Sequence, residues 1–129
     1  NPEFNNAKIA LAEAYYKIGR FKMAIKELSY LMEALPDLVT PYVKSAVIFI
    51  EMGKHTEAIP FLEKAIDIDK TNVELLEMLA ILYEEIFNKE RAEELYQEIL
   101  ILDPQNKSAN DGFERLSRLS DQIISQLKS

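Results

Sequence analysis

Side chains that could catalyse a reaction or ligate a metal are scarce in this sequence. There is one histidine, His55, and there is no cysteine. A zinc site needs several histidine, cysteine or carboxylate ligands that converge on one point, and His55 has only scattered glutamates near it. Carboxylates occur in pairs, at Glu84-Glu85, Glu93-Glu94 and Asp67 with Asp69. Acid–base catalysis requires such a pair in a desolvated cleft, whereas pairs on amphipathic helices are usually solvated. We therefore expect no metal, no cofactor and no enzymatic activity.

The composition narrows the class of protein and of its partners. The chain has 129 residues, of which 48% are hydrophobic, and a net charge of −7. A nucleic-acid-binding protein usually has a basic face, so we expect no nucleic-acid partner. The longest uncharged apolar run, residues 45–50, is far too short to span a bilayer, and we expect no membrane insertion. The absence of cysteine fits a reducing compartment, which favours the cytoplasm.

The elements that position these side chains follow an internal repeat with a period of 34 residues. The repeat aligns Ala12, Ala46 and Ala80; Tyr15, Phe49 and Tyr83; Ala24, Ala58 and Ala92; and Gly19, Gly53 and Phe87. Within each period, apolar residues recur at helical spacing in two stretches that a turn separates. The sequence therefore predicts seven helices and no strand, with helices near residues 5–18, 21–34, 40–52, 56–68, 73–86, 89–102 and 108–127.

This pattern of alanine, aromatic residues and glycine, together with Pro36 and Pro104 two periods apart, resembles the tetratricopeptide repeat (TPR) family. The resemblance implies an all-α fold, an α-solenoid of three antiparallel helix pairs with a capping helix. The expected repeats are 5–38, 39–72 and 73–106, followed by a C-terminal capping helix over 107–129. Residues 1–4 read as a remnant of cloning, which would make the chain an excised fragment. The sequence departs from the family pattern at Lys8, Ser45, Lys70 and Phe87. At Phe87 we expect the turn to shift onto Asn88, since asparagine tolerates the left-handed conformation.

The resemblance also implies a concave groove lined by the first helix of each pair. The residues one step off the core stripe are expected to face it, namely Ile9, Glu13, Tyr16, Val43, Val47, Ile50, Glu74, Glu77, Met78, Ile81, Glu84 and Glu85. Val43, Val47 and Ile50 share one helix face. They either form an apolar strip open to a partner or belong to a helix that is buried all round. Residues 73–106 have two basic and nine acidic side chains, so the third repeat is expected to make the groove acidic.

Some TPR proteins bind the acidic tails of heat-shock chaperones through a clamp of lysine, arginine and asparagine. The matching positions here are Ile9, Glu13, Lys44, Glu74 and Met78. Only Lys44 is basic, so an acidic ligand would be repelled. We expect a non-enzymatic interaction module or scaffold that binds a peptide or amphipathic helix with apolar anchors and basic residues. Two alternatives stay open. One is a scaffold that self-assembles through the exposed first helix or the C-terminal helix, and the other is a secretion-type chaperone that holds an apolar cargo segment.

Overall fold

A computed structural model of the chain describes residues 1–128, and over this range it contains α-helices and no strand. The helices are α1 (Pro2–Lys17), α2 (Phe21–Ala34), α3 (Val39–Glu51), α4 (His55–Ile68), α5 (Val73–Glu85), α6 (Lys89–Leu102) and α7 (Lys107–Lys128). The prediction of an all-α fold is confirmed, and helices α2 to α7 begin and end within one residue of the predicted bounds. None of the helices in residues 1–128 is long and apolar enough to cross a bilayer.

Helix α1 begins three residues earlier than predicted, at Pro2. The side chain of Asn1 accepts a hydrogen bond from the backbone N–H of Glu3 at 3.0 Å, and proline is favoured in a first helical turn because its missing N–H is not needed there. Phe4 packs edge-on against Tyr30 of α2, with ring centroids 5.9 Å apart. The expectation that residues 1–4 precede the first helix is therefore wrong, because they contain the cap and the first turn of α1.

The helices group into two compact units, residues 1–70 and residue 71 onward. In the first unit, α1 packs on α2, α2 on α3, and α3 on α4. Ala12 of α1, Ala24 and Leu28 of α2 and Ile48 of α3 form one buried cluster. The two alanines leave little side chain between the helices, so the helix backbones can approach closely.

In the second unit, α5 packs on α6 and α6 on α7. Gly112 of α7 lies directly against Tyr96 of α6, and Ala109 and Leu116 are also buried in this contact region. Beyond Leu116, the large apolar side chains of α7 are exposed, namely Leu119, Ile123, Ile124 and Leu127. Only the first half of α7 is therefore fixed by its packing within this unit.

A common turn follows the first helix of each pair. The backbone N–H of the residue after the turn bonds to a carbonyl five residues earlier, from Arg20 to Tyr15, from Lys54 to Phe49 and from Asn88 to Tyr83, each at 2.8 Å. This C-terminal motif places the preceding residue in the left-handed region, with φ of 78° at Gly19, 75° at Gly53 and 65° at Phe87. The expected shift of the turn onto Asn88 is wrong. Asn88 has a φ of −95° because it caps α6, where its side chain accepts from the N–H of Arg91.

Candidate partner-binding site

A cavity of about 230 Å³ lies on the first unit, and we call it the α1–α3 pocket. Its lining comes from α1, α2 and α3 and consists of Ala12, Glu13, Tyr16, Leu28, Val43, Lys44, Val47 and Ile48. Helices α1 and α3 each contribute residues three or four apart, which lie on one helix face, and α2 contributes Leu28. The structure thus brings together four predicted groove residues, Glu13 and Tyr16 of α1 with Val43 and Val47 of α3. For scale, an apolar cavity of about 150 Å³ can hold benzene, so the α1–α3 pocket has room for one large apolar side chain.

Two polar contacts link α1 to α3 at the α1–α3 pocket. Lys44 Nζ lies 2.5 Å from Glu13 Oε1. That hydrogen bond, together with the charge of Lys44, lowers the pKa of the Glu13 carboxyl. The hydroxyl of Tyr16 donates a hydrogen bond to the carboxylate of Glu51, and this bond raises the pKa of the Tyr16 phenol. Because Lys44 and Glu13 neutralise each other, the pocket presents apolar walls and no net charge from this pair.

The apolar strip predicted on α3 is accessible in part. Val43, Val47 and Ile50 are half-buried, and the first two line the α1–α3 pocket while Ile50 does not. The fully buried residues of α3 are Pro41, Tyr42, Ser45, Ala46 and Ile48. Helix α3 is therefore partly accessible at these three residues, and an apolar strip open to a partner stays a prediction. Ile9 of α1 is also half-buried and lies outside the pocket lining.

The predicted groove residues of α5 belong to the second unit and differ in exposure. Glu74, Ile81 and Glu85 are exposed, whereas Glu77 and Met78 are half-buried. Helix α5 therefore presents carboxylates to solvent, as the excess of acidic residues predicts.

Glu84 differs from the other glutamates of α5 because it is bonded inside the second unit. Its side chain is only 19% exposed. The Tyr96 hydroxyl donates to it at 2.5 Å, and the Arg115 guanidinium donates to both carboxylate oxygens at 2.6 and 3.2 Å. Burial, followed by the bond to Glu84, raises the pKa of the Tyr96 phenol. Arg115 compensates the charge of Glu84, so this residue contributes little to the acidic surface that the sequence predicts.

Three buried residues of the α1–α3 pocket are not among the predicted groove residues. Ala12, Leu28 and Ile48 are buried, yet all three also line the pocket. The signal that could have identified them is the small side chain of Ala12, since an alanine between packed helices leaves space that a larger residue would fill. His55 begins α4 and is half-buried. Within residues 1–128, no group of three or more histidine, cysteine or carboxylate side chains is arranged to hold a metal ion.

Comparison with known sequences finds the same repeat. A tetratricopeptide repeat family model matches residues 49–111. The chain is 32% identical over 111 residues to the ycf37 protein of Pyropia yezoensis, and the match covers 83% of this chain and 62% of that protein. The chain thus spans less than two thirds of the length of this relative.

Comparison with solved structures finds the same fold. The TPR domain of Arabidopsis OM64 matches with a TM-score of 0.72 at 26% identity, over 90% of this chain and 96% of that domain. The first TPR of Spaghetti (RPAP3), solved with a bound HSP90 peptide of sequence SRMEEVD, matches with a TM-score of 0.77 at 17% identity, over 94% and 96% of the two chains. These matches confirm the resemblance drawn from the 34-residue period.

Proposed function

We propose that this chain, which resembles the tetratricopeptide-repeat family in sequence and fold, is a protein-interaction module that binds a segment of a partner protein at the α1–α3 pocket. The observation that carries this proposal is the pocket itself, where Tyr16, Val43 and Val47 surround about 230 Å³ of space. A pocket of this size with apolar walls suits one leucine, methionine or phenylalanine side chain. The partner segment is an extended peptide or an amphipathic helix that inserts such an anchor.

The charges around the α1–α3 pocket support basic rather than acidic residues beside the anchor. The HSP90 peptide held by Spaghetti (RPAP3) is rich in glutamate and aspartate. In this chain, Lys44 is already paired with Glu13, and the Glu51 carboxylate bonds to the neutral hydroxyl of Tyr16 at the pocket wall, so it keeps its negative charge. Such a carboxylate repels an acidic segment and attracts lysine or arginine. We therefore propose a ligand with an apolar anchor and basic neighbours, and we leave Glu84 out of its binding residues.

The test compares Val47→Glu with the unchanged protein in fluorescence polarisation. The probes are labelled synthetic helical peptides that carry leucine anchors and differ only in having lysine or glutamate at the flanking positions. Loss of a central apolar contact costs about 2 kcal/mol or more, so Val47→Glu should weaken binding of the lysine peptide by roughly thirtyfold. The glutamate peptide should bind more weakly than the lysine peptide, most clearly at low salt.

A matched control is Ile101→Glu, the same kind of substitution at an α6 position that is 80% exposed. It should bind the lysine peptide as the unchanged protein does. Thermal unfolding followed by circular dichroism checks that both variants remain folded. The proposal is wrong if folded Val47→Glu binds normally, or if the glutamate peptide binds more tightly than the lysine peptide.

A further inference from the structure

Phe87 combines two unfavourable features at one position. Its φ is 65°, which makes it the only non-glycine residue with positive φ in residues 1–128, and the left-handed region is disfavoured for bulky side chains. Its side chain is also 93% exposed. The equivalent turns use Gly19 and Gly53, and a glycine here would remove both the backbone strain and the exposed ring. Such an outlier points to a role outside the fold.

The Phe87 ring stands at the edge of a second cavity, of about 610 Å³, between the α5–α6 turn and α7. We call it the α7 cleft. Leu116, Leu119 and Ile123 of α7 line it together with Phe87. Leu119 and Ile123 are 46% and 48% exposed, so the cleft has an apolar wall that remains accessible to solvent.

The polar lining of the α7 cleft is basic, although the chain as a whole is acidic. Lys89, Arg115 and Arg118 line it, and Glu84 is the one carboxylate among the lining residues. Arg115 already compensates that carboxylate through two hydrogen bonds. Three cations thus line the cleft against one carboxylate, within a chain whose net charge is −7.

Arg118 is the cation of the cleft that is most accessible to a ligand. Among the described residues, Arg118 pairs with Glu114 at 3.5 Å, with the two side chains 74% and 69% exposed. Lys89, by contrast, is paired with Glu93 at 2.5 Å and is 25% exposed. An exposed pair four residues apart on a helix is weak, so the Arg118 guanidinium can turn toward an incoming carboxylate with little loss.

From these features we infer that the α7 cleft is a second docking site, and that its occupant is an acidic segment of a partner protein with an aromatic or large aliphatic side chain. The apolar side chain packs against Phe87, Leu119 and Ile123, while a neighbouring carboxylate pairs with Arg118. Charge complementarity selects this occupant, because Arg118, the most exposed cation of the cleft, attracts a carboxylate and repels a basic segment. The site differs from the α1–α3 pocket in both its residues and its preferred ligand charge.

The test measures fluorescence polarisation with four labelled synthetic peptides, which have phenylalanine or serine at the centre and glutamate or lysine on both sides. The unchanged protein should bind the phenylalanine–glutamate peptide at least about tenfold more tightly than the other three. Phe87→Gly should lose this preference, and its melting temperature should rise because the strained turn is relieved. Arg118→Glu should weaken the same peptide at least about fivefold, with a smaller effect at high salt. Val47→Glu should bind it as the unchanged protein does.

Several results would overturn the inference. The first is equal binding of all four peptides, and the second is normal binding by Phe87→Gly. Loss of binding in Val47→Glu would assign the acidic peptide to the α1–α3 pocket instead. The fourth result comes from light scattering across a concentration series. If the protein forms a dimer that Phe87→Gly abolishes, a second copy of the chain occupies the cleft. The lysine peptide with leucine anchors is tested separately. If the acidic peptide does not bind at the α7 cleft, the proposal for the α1–α3 pocket is unaffected, and the reverse also holds.

Discussion

Replacing Gly112 with alanine is expected to destabilise the second unit, although alanine is the better helix former. A Cβ atom at residue 112 would lie 2.5, 2.6 and 2.9 Å from three ring carbons of Tyr96. The ring has little room to move, because Tyr96 is 1% exposed and its hydroxyl donates to Glu84 at 2.5 Å. The added methyl group therefore has to push apart α6 and α7 or break that hydrogen bond.

The magnitude follows from two opposing effects. Alanine in place of glycine in a helix is favourable by about 0.5–1 kcal/mol. An added carbon in a packed core costs about 1–3 kcal/mol, and the three short contacts on a rigid ring place this site at the upper end. The net loss is about 2 kcal/mol of unfolding free energy. For a chain of this size, that corresponds to a fall in melting temperature of roughly 8 °C.

Chemical denaturation measures this loss, and a second background isolates its cause. In Tyr96→Leu the side chain ends before the ring carbons that the new Cβ would meet. Gly112→Ala should therefore become neutral or stabilising in that background, by up to about 1 kcal/mol. This reversal of sign is a coupling between the two positions. The reasoning is refuted if Gly112→Ala stabilises the unchanged protein, or if it destabilises both backgrounds equally.

Two further substitutions act on single polar groups. Ser45 is fully buried and its Oγ has no hydrogen-bond partner among the residues that the structure describes. Ser45→Ala should therefore raise the free energy of unfolding by about 1 kcal/mol, seen as a higher urea midpoint at unchanged slope; a lower midpoint would show that the hydroxyl has a partner. For Tyr96, burial and the bond to Glu84 raise the pKa above the ordinary value of 10.0, so the folded state favours the neutral phenol. The stabilisation is present below pH 10 and is lost as the pH rises above it. Tyr96→Phe should flatten this alkaline loss in pH-dependent urea unfolding, and an identical slope in both proteins would contradict the assignment.

The positions of the helices and turns could be predicted from the sequence because their causes are local. Apolar residues at helical spacing define each helix, and the 34-residue period places a turn at Gly19 and again at Gly53. The same period places the third turn at Phe87, whereas the tolerance of asparagine for left-handed backbone predicted a turn at Asn88. The turn lies at Phe87 because Asn88 is the N-cap of α6. The start of α1 also has a local cause, because Asn1 caps the helix and Pro2 follows it. It was not predicted because residues 1–4 were interpreted as a remnant of cloning.

The chemistry of the site depends on distances between helices, which a periodic pattern does not contain. Helical spacing places Glu13, Val43 and Glu84 on a predicted groove face, but it does not say which side chain on another helix each one meets. Tertiary packing decides that Lys44 neutralises Glu13 and that Arg115 removes Glu84 from the acidic surface. It also decides where space remains, as in the pocket above Ala12, and where none remains, as at Gly112 under the Tyr96 ring. Burial and pairing energies arise between residues far apart in the chain, so only the folded arrangement determines them.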